Sequence, residues 1–406
     1  MSNVLSNAKN CKSALVLSFD TPSPADYGGI YDVVSRANAL REQGFVVDYV
    51  GVAVDKRRLS KWKVDADQPH EPFRRVYVLC GRSAARYLIT LTPASAKRRN
   101  VPISVEIRDY LTTQKYSVVL VDHIKMVPFA QRILPELDGD IRLRMHNDEA
   151  QYYASLARNE RNLVRAGALW LESVKYSRYQ RKVLNHALFS RVYFISQEDQ
   201  SRLSNGDNRL GCVLPVVANF RESLNNNASF SGRTIDCLYV GNLDLQENIN
   251  GVKSALQYLQ SNDVPVRTVQ ICGRCNSIKR QHQILAELKV FKFCDVKFNV
   301  SPIELNLLYQ HAKFFLNFSM GFGGVKTKLI EALAQGLVVI TNEFGVRGSG
   351  LEEACIIASK STAKLISVAL TVESKYEQLR KTSARELSSY ESRVRAVYKM
   401  EFGATE

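Results

Sequence analysis

Short apolar runs alternate along the chain with segments whose apolar residues recur at helical spacing. Residues 13–20 form the first apolar run, and residues 45–52 form the next. The apolar side chains between them recur three or four positions apart, at Ile30, Val33, Val34, Ala37 and Leu40. Apolar runs of this length are typical of buried parallel strands, and the spacing between them predicts a helix that ends at Gly44.

The same alternation continues through most of the chain. Further strands are predicted in the first half at residues 76–80, 117–121, 141–145, 191–196 and 212–217. In the second half they are predicted at residues 235–240, 266–272, 295–298, 313–317 and 337–341. Helices are predicted near residues 250–260, 278–290, 302–311 and 325–335, and two more within residues 361–400. This succession predicts an α/β fold with two doubly wound, Rossmann-like parallel sheets.

A polar segment rich in Asn and Ser separates the two halves. Residues 219–233 contain few apolar side chains, as expected of an interdomain linker. The predicted organisation is an N-terminal domain at 1–220, a linker at 221–233, a C-terminal domain at 234–380 and a helix at 381–406. A return of that last helix to the N-terminal domain is one option. The chain of 406 residues is long enough for two cores.

The net charge and the cysteine content indicate what kind of partner the protein binds and in which compartment it resides. The net charge is +15 and the 8 cysteines are scattered, which favours a polyanionic partner and reduced thiols. The lone CxxC at Cys272 and Cys275 is a weak signal for a metal. No apolar run approaches the ~18–20 residues that span a bilayer, and residues 1–12 lack an apolar secretory signal. We therefore expect a cytoplasmic protein, or one peripheral on the inner face of the cell membrane.

A glycine cluster followed by two lysines is the strongest chemical signal in the chain. The segment from Gly321 to Gly336 follows one predicted strand and opens a predicted helix. Glycines let the backbone approach an anion closely, and the first amides of a helix point at it. Lys326 and Lys328 fall in the first turn, where positive charge opposes the helix dipole by ~0.3–1 kcal/mol each. A bound diphosphate explains their presence there, and Glu331 is placed further along to accept hydrogen bonds from ribose hydroxyls.

This segment resembles the nucleotide-sugar site of the retaining glycosyltransferases of family 4, which have the GT-B fold. The likeness covers most of residues 235–351. A pair of glutamates with seven residues between them is common in that family. Here Glu331 matches the second glutamate, whereas Gly323 occupies the position of the first. The resemblance thus implies that Glu331 alone binds the ribose, and that the backbone near Gly323, Gly324 and Val325 holds the diphosphate together with the two lysines.

Four other stretches are similar to donor-binding loops of the same family. They contain Gly28 and Gly29, Gly241 and Asn242, Gly273 and Arg274, and Phe298 and Val300. The Arg and Lys that often accompany the loop at Gly241 in the family are absent. The resemblance therefore shifts the charge for the diphosphate to Lys326 or Lys328. A tight turn is the alternative interpretation of the glycine pair at residues 28 and 29.

Polar residues follow two predicted strands of the N-terminal domain. Asp122 and His123 come after the strand at 117–121, and His146 comes after the strand at 141–145. The GT-B resemblance implies two domains facing each other across a cleft, in which these side chains fill the sugar end of the pocket. The alternative is that they satisfy loop amides. Together with Lys328 they are the candidate catalytic residues.

The resemblance also implies the reaction. It predicts transfer of a hexose-type sugar from a nucleoside-diphosphate sugar to a saccharide or lipid-linked acceptor, with retention, in bacterial surface polysaccharide synthesis. No metal and no cofactor are expected, because lysines and helix amides can neutralise the charge that develops on the leaving diphosphate. No catalytic base is assigned.

Positive charge concentrates between residues 56 and 99. The candidate membrane or acceptor patch comprises Lys56, Arg57, Arg58, Trp62, Arg82, Arg86, Lys97, Arg98 and Arg99. From residue 84, apolar residues recur at helical spacing beside these charges. That combination suits an anionic bilayer surface, at ~1 kcal/mol per basic residue, while a solvated face on a core-packed helix is the alternative.

Two other classes of function remain open at this point. A catalytically silent GT-B partner or scaffold is compatible with the missing first glutamate and the missing Arg and Lys. A nucleic-acid binder would explain the net charge, but no RNP, KH or helix-turn-helix pattern is found, so no nucleic-acid partner is expected.

Overall fold

The computed structural model describes residues 12–25, 27–65, 70–83, 87, 89–204, 211–217, 229–321 and 324–403. The chain divides into two packed units. The first unit consists of Met1–Ala157, Val164–Val217 and Val394–Glu406, and the second of Arg158–Leu163 and Ala218–Arg393. Most of the predicted linker, namely residues 221–228, lies outside the described residues, so the domain boundaries stay a prediction.

The first unit contains a seven-stranded sheet. Its strands are β1 Lys12–Ser18, β2 Phe45–Ala53, β3 Arg75–Cys80, β4 Val118–Asp122, β5 Asp140–Met145, β6 Arg191–Phe194 and β7 Cys212–Val213. They lie in the order β3-β2-β1-β4-β5-β6-β7, and every pair is parallel. The helices are α1 Gly28–Glu42, α2 Lys56–Asp65, α3 Ala94–Lys97, α4 Val105–Thr113, α5 Val127–Ile133, α6 Glu149–Asn159, α7 Leu163–Leu184 and α8 Gln197–Leu203.

The second unit contains a six-stranded sheet. Its strands are β8 Ile235–Asn242, β9 Val269–Arg274, β10 Cys294–Phe298, β11 Ala312–Asn317, β12 Val338–Thr341 and β13 Cys355–Ile357. Their order is β10-β9-β8-β11-β12-β13, again with parallel pairs throughout. The helices are α9 Gln246–Ser261, α10 Ile278–Leu288, α11 Pro302–His311, α12 Thr327–Ala334, α13 Glu343–Val346, α14 Lys360–Thr371 and α15 Glu373–Phe402.

The predicted α/β fold with two parallel sheets is confirmed. The central strands β1 and β4 are buried along their length except at the start of β1, which explains why they appear in the sequence as continuous apolar runs. In both sheets the chain order reverses beside the first strand, β1 or β8, and ligands of open α/β sheets bind at such a switch point, at the carboxyl ends of the strands.

Two features differ from the sequence-based expectations. Strand β13 has only three residues and no alternating pattern, so nothing in the sequence indicated it. The α-helix expected from residue 84 is not supported by its described part, because residue 87 has a 3-10 conformation and residues 89–92 lie in turns and bends. The other residues of that segment, 84–86 and 88, lie outside the described residues.

The end of the long helix α15 packs in the first unit. A return of this helix to the N-terminal domain is one option that the sequence analysis gave. Glu401 accepts a hydrogen bond from the Tyr193 hydroxyl at 2.9 Å and pairs with Arg191 at 3.0 Å. The ring of Phe402 lies 5.8 Å from that of Tyr193, and the Arg142 guanidinium lies 5.2 Å from the Phe402 centroid. These contacts join the helix end to β5 and β6.

Candidate active site

The loop that precedes α12 follows β11 and contains the predicted anion site. Gly324 has φ +44°, a conformation that L side chains rarely adopt. Lys326 occupies the N-cap position, and no side chain caps the helix. The first amides of α12 are therefore left for a ligand or water, as the sequence predicted for this segment. Gly323, one of the predicted backbone contacts, lies outside the described residues.

Lys328 does not extend freely toward solvent. Its ammonium donates a hydrogen bond to the Tyr239 hydroxyl at 3.2 Å and lies 4.4 Å from the centre of the same ring. Tyr239 is fully buried on β8. Burial, and then the neighbouring charge of Lys326, lower the pKa of the Lys328 ammonium to about 7, although Glu247 acts in the opposite direction. Within the part of the chain that the structure describes, Lys328 thus lacks a full counterion.

The acidic residues around this lysine differ in their contacts. Glu247 is buried in the first turn of α9, and its carboxylate lies 3.4 Å from the Ser319 hydroxyl. Glu331 lies one turn along α12 from Lys328, and its carboxylate has no hydrogen-bond or ion-pair partner among the described residues. Burial raises the pKa of the Glu331 carboxyl. An unpaired, partly buried carboxylate is suited to accept hydrogen bonds from a ligand hydroxyl.

Packing leaves little room for a side chain at several of the predicted donor-binding glycines. Gly241 and Gly273 are register partners at the carboxyl ends of β8 and β9. A Cβ on Gly273 would lie 1.9 Å from the Gly241 carbonyl oxygen. A Cβ on Gly29, in the first turn of α1, would lie 2.9 Å from the Phe19 ring. Gly28 begins the same helix. Packing therefore constrains Gly273 and Gly29, whether or not a ligand approaches them.

The remaining predicted contacts of the second unit lie at the carboxyl ends of its strands. Asn242 accepts a hydrogen bond from the Asp244 amide at 3.0 Å, while Arg274 is exposed. Phe298 and Val300 are partly exposed and flank Asn299. Asn299 has φ +55°, and its side chain bonds the Cys275 amide and carbonyl at 3.0 and 2.9 Å. This amide side chain fixes the loop after β10 against the loop after β9.

In the first unit, Asp122 lies at the centre of a buried ionic network. Its side chain is completely buried, and one oxygen pairs with Arg36 while the other is hydrogen-bonded to His146 Nε2. Arg36 also pairs with Asp32 at 2.8 Å, and Arg144 lies 3.2 Å from the same Asp32 oxygen. Burial alone would raise the pKa of the Asp122 carboxyl, but Arg36 and His146 outweigh that effect and the pKa is lowered. The carboxyl is therefore ionised, and His146 Nε2 donates the hydrogen bond to it.

Both ring nitrogens of His123 also have partners within the first unit. Its Nδ1 accepts a hydrogen bond from the Lys125 amide at 3.2 Å, so its proton resides on Nε2, which lies 3.2 Å from Glu149 Oε1. Burial, and then the Lys125 charge, lower the pKa of the His123 imidazole to about 3. Lys125 reaches the other Glu149 oxygen at 2.8 Å. His123 therefore stays neutral near pH 7.

The two histidines are held side by side. Their rings stack with centroids 5.1 Å apart, and the edge of Phe19 contacts both rings. His123 has φ +95°, which is unusual for a non-glycine residue. Contact of Asp122 or His123 with a sugar stays a prediction, and each of their polar atoms already has a protein partner. His146 is 6% exposed.

The predicted basic patch is not one exposed surface. Arg58 is buried, pairs with Asp20 at 3.1 Å and donates to the Pro24 carbonyl at 2.8 Å. Trp62 is buried against His70, with ring centroids 4.1 Å apart. Arg99 is buried and donates to the Phe19 carbonyl at 3.1 Å. These three assignments are wrong, since the side chains hold loops in place.

The other members of the patch have different environments. Lys56, Arg57 and Arg82 are exposed, whereas Lys97 and Arg98 are partly buried. Burial lowers the pKa of the Arg98 guanidinium, which donates to the Arg82 carbonyl at 3.0 Å. Arg86 lies outside the described residues. A membrane role for the patch therefore rests on the exposed members.

Sequence reasoning missed several residues of both sites. In the second unit these are Tyr239, Glu247 and Ser319, and in the first unit Asp32, Arg36 and Lys125. Asp32 and Arg36 did carry a signal, since they lie four residues apart on the apolar face of α1 and are buried. A buried charge is stable only when it is paired, so charged residues on an apolar helical stripe predict an ionic partner.

Two further observations concern metals and membranes. Within the described ranges, no group of three or more His, Cys, Asp or Glu side chains is arranged to hold a metal ion. Cys272 and Cys275 are free thiols. None of the described helices is both long enough and apolar enough to traverse a bilayer.

Comparison with known proteins places these sites in a family context. Residues 220–383 match the family "Glycosyl transferases group 1". The chain is 24% identical, over 83% of its length and 84% of the relative, to an uncharacterised 44.6 kDa protein in the cps region of Klebsiella pneumoniae.

Solved structures with the same fold cover nearly the whole chain. Sucrose-phosphate synthase from Thermosynechococcus elongatus superposes with a TM-score of 0.64 at 13% identity, over 96% of this chain and 98% of that one. The pneumococcal O-GlcNAc transferase, solved with UDP and GlcNAc, gives 0.60 at 11% identity over 97% and 99%. The chain therefore has the GT-B fold, and its residues 220–383 are similar to the glycosyl transferases group 1 family.

Proposed function

We propose that this protein is a retaining, metal-independent glycosyltransferase that uses a nucleoside-diphosphate sugar as its donor. The observation that carries the proposal is the position of Lys328 in the first turn of α12, beside uncapped helix amides and without a full counterion. Its depressed pKa reflects a cation that the free protein stabilises poorly. A diphosphate would supply the missing negative charge, and the ammonium and amides would then stabilise the leaving group.

Glu331 is assigned to the other end of the nucleotide. The carboxylate is partly buried, and burial raises its pKa. Two ribose hydroxyls would satisfy both of its oxygens and would favour the ionised form. We assign Gly324, Val325 and Lys326 to the diphosphate.

The histidine and aspartate cluster of the first unit is given a positioning role. Asp122 and His123 have protein partners at every polar atom, so we propose that they hold the loop after β4 and the ring of His146. His146 remains the candidate for contact with the donor sugar. No side-chain base is assigned, since the leaving phosphate can accept the proton of the acceptor.

The biological setting follows from the cps-region relative. We propose that the acceptor is a growing saccharide or a lipid-linked sugar of a bacterial surface polysaccharide, made on the cytoplasmic side of the membrane. The exposed basic residues Lys56, Arg57 and Arg82 would assist peripheral docking on anionic lipid. Flotation with phosphatidylglycerol vesicles tests this point, and equal flotation of wild type and a triple alanine variant would count against it.

Donor binding is tested first by thermal shift with UDP, GDP, ADP and CMP. A ligand at about 100 times its Kd adds ~2.7 kcal/mol of stability, which is enough to rank the nucleotides. Lys328→Ala should abolish most of the shift. Lys364→Ala is the matched control, because Lys364 is exposed on α14 of the same unit. An equal shift in wild type and Lys328→Ala would refute the assignment of the diphosphate.

Turnover is tested with the sugar form of the best nucleotide. Lys328→Ala and Glu331→Ala should each lower the rate by at least about tenfold, or ~1.4 kcal/mol of barrier. Release of the nucleoside diphosphate is the measurement, with Lys364→Ala expected to behave like wild type. Nucleotide binding without any release of product would instead favour the catalytically silent partner.

A further inference from the structure

An apolar cavity of about 620 Å³ lies in the first unit, whereas the anion site of α12 belongs to the second unit. Part of its wall is made of apolar side chains from α5, from α7 and from the segments that border them, namely Val127, Pro128, Leu171, Val174, Leu188 and Phe189. Helix α5 begins four residues after His123, so the cavity adjoins the carboxyl end of β4. Its volume falls in the range of about 300–1,000 Å³ that is typical of small-molecule sites.

The mouth of the cavity exposes large apolar side chains. Ile89 is 96% exposed and Leu91 is 89% exposed, and both line the cavity. Leu171 on α7 is 42% exposed beside them. Contiguous exposed apolar groups of this kind mark sites that bind an apolar partner. The partner must therefore have an apolar part that reaches from the mouth into the cavity.

The charged groups of the cavity are all basic. Lys97, Arg178 and Lys182 line it, and none of them forms an ion pair or a side-chain hydrogen bond with the described residues. By contrast, Lys175 in the wall pairs with Glu172 at 3.0 Å. No Asp or Glu is present among the described lining residues. Three uncompensated cations beside an apolar cavity are complementary to an anionic head group.

One polar atom of the wall also lacks a partner. The Tyr179 hydroxyl is buried and makes no hydrogen bond to the described part of the chain. A buried hydroxyl without a partner costs roughly 1–3 kcal/mol. An oxygen of a bound head group would relieve that cost.

We propose that this cavity binds an amphiphile with one apolar chain and a phosphate head group, the chemistry of a lipid-linked acceptor. The chain lies along Leu171 and Val174, and the phosphate lies among Lys97, Arg178 and Lys182. The assignment of the amphiphile as acceptor rests on the proposed glycosyltransferase function. Its binding does not, because no nucleotide takes part.

The experiment is calorimetric titration of the full-length protein with dodecyl phosphate below its micelle concentration. Lys182→Glu should weaken binding by at least about tenfold. Arg181→Glu is the matched control: it makes the same charge change on the adjacent exposed residue of α7, but Arg181 does not line the cavity. It should bind like wild type. Inorganic phosphate and dodecanol, which carry only one of the two features, should each bind at least about tenfold more weakly than dodecyl phosphate.

Three results would overturn the proposal. They are an absence of dodecyl phosphate binding, equal weakening by the two charge reversals, and equal binding of dodecyl phosphate and either single-feature probe. Failure of the proposed function has a different signature, which is loss of the nucleotide thermal shift in a protein that still binds dodecyl phosphate. Conversely, transfer to a water-soluble saccharide without dodecyl phosphate binding would refute only the lipid site.

Discussion

Lys328 makes nucleotide binding dependent on pH in a direction that the structure specifies. In the free protein its pKa is lowered from 10.5 to about 7, by burial and then by Lys326. A bound diphosphate places two negative charges beside the ammonium and returns the pKa toward its ordinary value. The complex therefore holds a proton that the free protein has lost, wherever the pH lies between those two values.

The size of the proton uptake follows from the pKa values of Lys328 in the free protein and in the complex. At pH 8 about one tenth of the free molecules carry a protonated Lys328, so UDP binding should take up about 0.9 proton. At pH 6 the uptake through this lysine should fall to about 0.1 proton. The affinity should fall by about fivefold from pH 7 to pH 8 and by about tenfold, or ~1.4 kcal/mol, from pH 8 to pH 9, because the proton must be supplied first.

Calorimetric titration of UDP in buffers with different ionisation enthalpies measures the uptake directly. Lys328→Met keeps the apolar stem and removes the charge, so it should lose the uptake at pH 8 and bind more weakly at pH 7. Lys364→Met is the matched control on the exposed face of α14. UDP itself is fully ionised at pH 8, which removes its own titration from the result.

Two outcomes would refute the reasoning. A proton uptake at pH 8 that is the same in wild type and Lys328→Met would assign the titration to another group. An affinity that stays constant from pH 7 to pH 9 would mean that Lys328 does not contact the diphosphate.

Three further predictions concern stability and the site. The His123 pKa is lowered from 6.5 to about 3 in the folded protein, so between these pH values the unfolded state binds a proton at His123 that the folded state does not. The free energy of unfolding should therefore decrease as the pH is lowered from about 6.5 to about 3. Urea titrations should show a weaker dependence in His123→Asn, since Asn tolerates the φ of +95° and does not titrate. Gly273→Ala should lower the free energy of unfolding by about 1–3 kcal/mol, because its Cβ would meet the Gly241 carbonyl. The control Gly167→Ala, in open space on α7, should raise the free energy of unfolding by about 0.5–1 kcal/mol. Equal effects of the two substitutions would contradict the packing argument. The loss of nucleotide affinity caused by Glu331→Gln should be smaller at pH 5 than at pH 8, because burial raises the Glu331 pKa and the wild-type carboxyl is less ionised at pH 5. If the ratio of wild-type to variant affinity is the same at both pH values, the ionised form of Glu331 is not the ligand.

The sequence was informative where a local pattern has one structural solution. Continuous apolar runs predicted most of the strands of both sheets, since a strand covered on both faces needs apolar residues at every position. The helix after Gly324 was predicted with its start two residues early. Strand β13 and the turns near Tyr87 were not anticipated, because short segments carry too few residues for a period to show.

The candidate sites divide in the same way. Lys328 and Glu331 could be predicted from the sequence because an anion site at a helix N-terminus is built from residues close together in the chain. The Tyr239 contact with Lys328 joins residues 89 positions apart, and no pattern along the chain contains it. Arg58 and Arg99 were assigned to the surface by their charge, but their partners are backbone carbonyls of distant loops.

The sequence by itself thus determined the two parallel sheets, the glycine and lysine loop before α12, and the basic character of the chain. Only the tertiary structure decided which charges are available to a ligand. Asp122 and His123 are held by Arg36, His146 and Glu149, whereas Lys182, which lines the apolar cavity, has no counterion among the described residues. The physical reason is that strand and helix periods are local properties of the chain, while burial and pairing of a charge depend on residues that folding brings together.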